Sequence, residues 1–296
     1  MKKSPLIVAL GEVLWDVFPE ASHFGGAPAN FACHSAALGA EAWVVSALGD
    51  DDLGRRALAT LQHHGVHTQA VATDSQHPTG QVLVTLDDVG VPTYKIAEDT
   101  AWDHIIWGEK LVPLAARCDA ACFGSLGQRS PVSRATIRHF LRSTLPDALR
   151  VFDVNLRQHF YDRETIEESL QIASALKLND EELPILAGMF EIFGETERDL
   201  LGMLTARFEL RLVALTRGAK GSLLLAAGEY DECESPPAEV VDTVGAGDAF
   251  TAALITGFLR ELPLSTINRH ANAVASYVCS QPGATPALPP SLLLPA

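Results

Sequence analysis

Apolar residues along the chain follow two rhythms. Short, mainly apolar runs stand at Leu6–Leu10, Ala42–Leu48, Ala120–Phe123, Arg150–Val154, Ala175–Leu178 and Leu212–Thr216. Runs of this length without polar alternation predict strands buried on both faces. Between them, Ala29–Leu38, Gly54–His63, Ser133–Leu141, Glu164–Ala173 and Arg198–Phe208 carry apolar residues at helical spacing. Strand and helix in alternation predict an α/β fold, a doubly wound, mainly parallel sheet flanked by helices.

One region departs from this rhythm. Gly80–Leu86 and Val91–Ala97 flank Asp87-Asp88-Val89-Gly90, and two strand-like runs around an Asp/Gly turn predict an antiparallel hairpin. A short run at Val13–Phe18 is placed to pair with it. The expectation is a small β-sheet lid, about residues 12–18 and 80–97, within a single domain spanning 1–296. An edge extension of the main sheet is the other reading of the same pattern. The tail from Gln281 to Pro295 is rich in Pro and Ala and predicts an irregular wrap.

The chain has 296 residues, 47% of them hydrophobic and 20% charged, enough to bury a sizeable core. Its formal net charge of -15 and the lack of a long basic run argue against a nucleic-acid partner. Five scattered cysteines form no Cys-x-x-Cys pair, which points away from a disulfide framework or zinc site and toward a reducing compartment. The apolar run after Met1-Lys2-Lys3 is cut at Gly11-Glu12, too early for a signal core. No stretch is long and apolar enough to span a bilayer. The expected location is cytoplasmic, with no membrane partner.

The densest chemistry lies at Asp242-Thr243-Val244-Gly245-Ala246-Gly247-Asp248-Ala249-Phe250, followed by the helical run Thr251–Leu259. Gly245 and Gly247 permit tight turning and close approach of an anion, and a helix start presents unpaired N–H groups and a positive dipole end. A phosphoryl group fits there, with Asp248 beside it as a candidate general base. An N-capping Asp after a glycine-rich loop accounts for the same residues. No dinucleotide fingerprint or Walker loop is present: the stretch lies late in the chain, and Gly-Lys-Ser/Thr is absent.

Together with Gly25-Gly26-Ala27-Pro28-Ala29-Asn30, this stretch resembles the two signatures of the ribokinase-like (PfkB) carbohydrate kinase family, and the resemblance runs from Val8 to about Ala284. It implies that Asp248 is the catalytic base and that the backbone of Gly245, Ala246 and Gly247 forms the anion hole. It implies that Asp16, Gly25, Gly26 and Asn30 cradle the sugar. These residue types suit sugar recognition, since Asp accepts from two hydroxyls, Asn donates and accepts, and glycines let a ring approach the backbone. Asn179 and Glu182, in Asn179-Asp180-Glu181-Glu182, match the element near the phosphates and Mg²⁺, with contact through water in view. The same residues also read as a capped helix start. Thr216, Gly218 and Gly221 match the nucleotide-edge loop, which is equally a strand-turn-strand. Asn272 matches the region bordering adenine, and a solvent-facing helical Asn is the other reading. Asp242 and Thr243 match positions that hold K⁺ in many relatives. ATP and Mg²⁺ are thus the implied cofactors, with K⁺ as a further candidate.

Within the family, Asp153-Val154-Asn155-Leu156-Arg157, Ala101-Trp102-Asp103 and Lys177–Glu182 look most like bacterial fructokinases, with Arg157 as a candidate ligand for sugar hydroxyl or phosphate. D-fructose is the expected substrate, and a 2-keto-3-deoxygluconate kinase is the nearest alternative. A catalytically silent sugar or nucleotide sensor is the non-enzymatic one. A lid sheet with a free edge is suited to pair with its copy in a homodimer.

Overall fold

The computed structural model describes residues 4–18, 20–86 and 92–293. In chain order its strands are β1 Leu6–Leu10, β2 Leu14–Val17, β3 Ser22–Gly25, β4 Glu41–Gly49, β5 Val71–Asp74, β6 Gly80–Leu86, β7 Pro92–Ile96, β8 Ala120–Gly124, β9 Leu149–Asp153, β10 Ala175–Asn179, β11 Leu212–Thr216, β12 Ser222–Ala226 and β13 Glu229–Cys233. The helices are α1 Ala27–Ala37, α2 Asp52–His63, α3 Leu111–Ala115, α4 Pro131–Arg142, α5 Arg163–Ile172, α6 Glu182–Met189, α7 Glu197–Phe208, α8 Ala246–Leu259 and α9 Leu264–Cys279.

The main sheet runs β13-β12-β11-β10-β9-β8-β1-β4-β5. Its strands are parallel from β11 to β5, and the β12–β13 hairpin adds an antiparallel edge. The all-apolar run of β1 is buried at every position because helices cover both faces. Two apolar cores result, one around Phe123, Phe140 and Phe152, the other around Phe31, Phe250 and α9. From β1 the chain goes first toward β4 and later to β8 on the opposite side. The crevice at the carboxyl ends of β1 and β8 is therefore where an open α/β sheet binds its ligands.

The second sheet runs β3-β2-β6-β7. The run at Val13–Phe18 supplies β2, which pairs with β6 in parallel, and β6 and β7 form the expected antiparallel hairpin. The turn at 87–90, like Val91, lies outside the described residues. A small apolar cluster of Leu14, Val82, Ile96, Trp102 and Leu126 sits beneath this sheet. Among the described residues this sheet pairs with none of the main sheet's strands, so it is not an edge extension of that sheet.

All the runs named from the sequence form their elements. The pattern passes over β3, β5 and β13, whose residues are largely exposed or half-buried and so carry no apolar signature. Residues 281–293 wrap irregularly, apart from one short 3-10 turn at Pro290–Leu292. Among the described residues, no helix is long and apolar enough to cross a membrane.

Candidate active site

The residues expected to cradle the sugar meet near the carboxyl end of β1, after which Glu12 follows. Asp16 lies on β2, opposite His23 of β3. A side chain on Gly25 would come within 3.0 Å of the Asp16 carboxylate, and one on Gly26 within 2.5 Å of the Glu12 carbonyl. Gly26 also has φ 105°, a conformation other residues rarely adopt. It starts α1, and its carbonyl accepts the amide of Asn30 at 2.9 Å. Burial holds the Asp16 carboxyl above the usual range, against the pull of His23 and Arg157.

Asn30 is 3% exposed, and its Nδ2 donates to Asp248 Oδ2 at 2.9 Å. Its Oδ1 is buried without a partner among the described residues, an acceptor on the same amide that binds Asp248. Unsatisfied buried acceptors are uncommon, and a ligand hydroxyl suits this one.

Gly245 starts α8 at φ 79°, with the carbonyl of Ala284 only 2.3 Å from where a Cβ would stand. The Pro/Ala-rich tail thus packs against the glycine loop, and Asp242 ties the two together. Its Oδ1 accepts the Val244 amide at 3.0 Å and its Oδ2 the Gly283 amide at 3.2 Å. Thr243 stands beside it, exposed. Ala246, Gly247 and Asp248 then form the first turn of α8, whose N–H groups have no partners within the helix. The Asp248 carboxyl titrates at about 7. Burial raises it, the negative charge of Asp153 adds to that, and Asn30, Lys177 and Arg157 oppose it. A carboxylate poised near neutrality suits a general base.

Beneath this turn lies a charge cluster of Asp153 and Lys177, the first residues of two of the fructokinase-like stretches, to which the motifs assign no role of their own. Lys177, on β10, is 7% exposed and pairs with Asp153, at the end of β9, at 3.1 Å. The other Asp153 oxygen accepts from Thr251 Oγ1 of α8 at 2.9 Å. A Cβ on Gly247 would stand 3.2 Å from Lys177 Nζ, so this glycine lets the ammonium approach the helix start. Lys177 is held protonated, above its ordinary pKa: burial opposes the charge, but Asp153, Glu182 and Asp248 more than offset it. Lys177 opens the Lys177–Glu182 stretch, but only its charge within the apolar run Ala175–Leu178 marks it for a role of its own.

Glu12 is the second residue the motifs missed. It is 2% exposed, and among the described residues its Oε2 has no hydrogen-bond partner. Its carboxyl is pushed up to about 7, first by burial and further by the charge of Asp248. Its place directly after β1 was the available signal.

Asn179 and Glu182 form a capping arrangement. Asn179 Oδ1 accepts the amides of Glu181 and Glu182 at 2.9 and 2.8 Å, and the Glu182 oxygens accept those of Asn179 and Leu156, both at 2.9 Å. Oxygens so engaged fit Mg²⁺ that keeps its own water shell better than a directly bound ion. Arg157 is exposed on the loop after β9, in the field of Glu12, Asp16 and Asp248. The same loop is tied to β7 of the second sheet by Gln158 Nε2, which donates to the Tyr94 carbonyl at 2.8 Å.

In the loop expected at the nucleotide's edge, Thr216 ends β11, and Gly218 and Gly221 bend the chain at φ 54° and 85°. A Cβ on Gly221 would collide with the Cys233 carbonyl at 1.9 Å, so this glycine serves the β12–β13 edge. Asn272 does not face solvent. It is 4% exposed, and its Nδ2 lies 2.7 Å from Ser222 Oγ and 2.9 Å from the Asn268 carbonyl, inside the packing of α9 against β12. Of the Ala101–Asp103 stretch, Asp103 grips Arg129 by two hydrogen bonds of 2.8 and 2.7 Å. Trp102 lies under the same guanidinium at 4.0 Å. This stretch braces the base of the second sheet, where Arg129 also donates to the Ala97 carbonyl.

Residues 11–290 match the family described as pfkB family carbohydrate kinase. Fructokinase of Klebsiella pneumoniae is 31% identical over 263 residues, covering 85% of this chain and 83% of the relative. A crystal structure of an uncharacterised sugar kinase from Pyrococcus horikoshii in complex with ATP aligns at TM-score 0.80 and 28% identity, over 94% of both chains. Aminoimidazole riboside kinase from Salmonella enterica, solved with its riboside and an ATP analogue, aligns at TM-score 0.78 and 26% identity, over 96% of both chains.

Proposed function

The chain belongs to the pfkB family of carbohydrate kinases, and from that premise we propose that it transfers the γ-phosphoryl group of ATP to a primary hydroxyl of D-fructose. It is a phosphotransferase acting on a sugar hydroxyl; the nucleotide, the sugar and the residue roles are the proposal. The observation that carries it is Asp248, a carboxyl titrating at about 7 in the first turn of α8, held by the buried Asn30 of the sugar side.

In this reading Asp16 and Asn30 hold the sugar by its hydroxyls, and Gly25 and Gly26 let it reach the backbone. Asp248 takes the proton of the primary hydroxyl, and that oxygen bonds to the γ-phosphorus. The bond from phosphorus to the β,γ-bridging oxygen breaks and ADP leaves. The N–H groups of Ala246 and Gly247 and the α8 dipole stabilise the charge on the transferred group, with Lys177 beneath them. Mg²⁺, placed by Asn179 and Glu182 through its waters, supplies charge neutralisation when bound. Lid closure over the sugar excludes water as a competing acceptor. K⁺ at Asp242 and Thr243 is tested by comparing turnover in K⁺ and Na⁺.

The choice of fructose is supported by the fructokinase relatives. Coupled ADP release across D-fructose, 2-keto-3-deoxygluconate and a riboside tests it, with the highest kcat/KM expected for fructose. A higher value for another sugar keeps the kinase and moves the substrate. Binding of sugar and ATP without turnover by any of them would make the chain a sensor.

A further inference from the structure

The two chain crossings that enter and leave the lid hairpin run side by side. Residues 75–79 lead into β6, and 97–104 lead out of β7. Backbone hydrogen bonds from Ala97 to Gln81 and from Ala101 to Pro78, both 2.8 Å, zip them together. At this junction, away from the sugar and phosphate residues in sequence and in hydrogen bonding, stand His77, Asp99 and His104. One ligand atom of each lies within 4.8 Å of the others.

We propose that His77, Asp99 and His104 form a site for a borderline divalent transition ion such as Zn²⁺, which staples the lid's entry and exit strands. Two imidazoles and a carboxylate are the donor types that Zn²⁺ accepts, with water for the fourth position. The support around the donors points the same way. His77 Nδ1 lies 2.8 Å from Asp74 Oδ2, while the amides of Gln76 and His77 fix Asp74 Oδ1 at 2.7 and 3.1 Å. A carboxylate on Nδ1 sets the tautomer that leaves the Nε2 lone pair outward, the usual support of a metal-binding histidine. Asp99 takes φ 56°, unusual for a residue with a side chain, and its Oδ1 stands 2.8 Å from His104 Nε2 and 3.7 Å from His77 Nε2.

The two rings stack at 3.6 Å with 10° between their planes. Lone pairs in two parallel planes do not converge, so an ion enters only as the rings turn about their Cβ–Cγ bonds and displaces the proton shared with Asp99. Both side chains are partly open to solvent, at 22% and 27%, which leaves room for that turn.

Zn²⁺ titration of the whole chain, followed by calorimetry and thermal unfolding, tests the site, with Co²⁺ absorption as a report of ligand geometry. One equivalent is expected to bind and raise the melting temperature, with Mg²⁺ failing to compete. His77→Gln and His104→Gln should lose that equivalent, and Asp74→Asn should weaken it by roughly 10–100-fold. Asp99→Asn, at an exposed residue that packs against little, should also weaken binding and carries the test if a histidine variant fails to fold. Zn²⁺ affinity unchanged in Asp99→Asn, or stoichiometry unchanged in either folded histidine variant, overturns the proposal.

Discussion

Asn30 Nδ2 lies 2.9 Å from Asp248 Oδ2 across 218 positions of sequence, so one amide joins the start of α1 to the start of α8. Asn30 thereby fixes which face of the Asp248 carboxylate is left for a substrate proton. Asp248→Asn keeps the size and the helix start but removes the base. Turnover is expected to fall by a factor on the order of 10² or more, with melting temperature and nucleotide binding retained. A variant with near-native turnover would take Asp248 out of the chemistry.

The same contact predicts a pH profile. Asp248 acts only when ionised and titrates at about 7, so kcat/KM should climb as pH rises through that value. Asn30 pulls the pKa down by donating to the carboxylate. In Asn30→Leu the acid limb should therefore move to higher pH, and the sugar KM should rise with loss of the free Oδ1. An acid limb that stays in place would show that another group sets it.

Much of this arrangement is legible in the sequence, because a parallel strand buried on both faces reads as an apolar run, and β1 and β8 do. The glycine pairs are legible because positive φ and close approach leave no other residue at Gly26 and Gly245. What stays hidden is chemistry inside those same runs. Lys177 interrupts an apolar strand without altering its pattern, and Glu12 follows one. The fate of each depends on partners that are distant in sequence. The solvent-facing reading of Asn272 fails for the complementary reason: its burial comes from β12 packing against α9, which periodicity on α9 alone does not show.

Glu12 makes a stability prediction. Its carboxyl titrates at about 7 in the folded protein against 4.5 ordinarily. The folded state binds this proton more tightly, so Glu12's contribution is fully present below pH 4.5 and is lost as pH rises through 7. Glu12→Gln keeps the shape without the charge. It should be about as stable as the wild type at a pH near 5 and more stable at a pH near 8, by at most about 3 kcal/mol. Equal differences at both pH values would show that Glu12 does not titrate in this window.

Gly245→Ala tests the seam between the glycine loop and the tail. The new methyl would meet the Ala284 carbonyl at 2.3 Å, in a backbone conformation that disfavours it. A loss of about 1–3 kcal/mol in stability is expected, with a raised ATP KM as the first turn of α8 shifts. Thermal unfolding and steady-state kinetics read the two effects separately. An unchanged ATP KM beside the stability loss would place the anion hole elsewhere.

Lys177 and Asp153 offer the sharpest separation of structure from catalysis. Lys177 sits 3.1 Å from Asp153, and Glu182 and Asp248 also bear on its charge. Removing this ammonium leaves buried carboxylates without its compensation, so Lys177→Met should lose roughly 3–5 kcal/mol. It should also raise the Asp248 pKa, since Lys177 holds it down, and carry the acid limb of kcat/KM upward. Asp153→Asn alone leaves the ammonium underpaired and should destabilise as well, while lowering the Asp248 pKa by removing a negative neighbour. The double variant has neither buried charge, so its loss should be smaller than the sum of the two, with a coupling of about 0.5–3 kcal/mol. Additive losses in denaturant unfolding would mean that the pair does not act as a unit. A double variant stable as the wild type yet slow at every pH would place the pair's importance in positioning the phosphate end of α8.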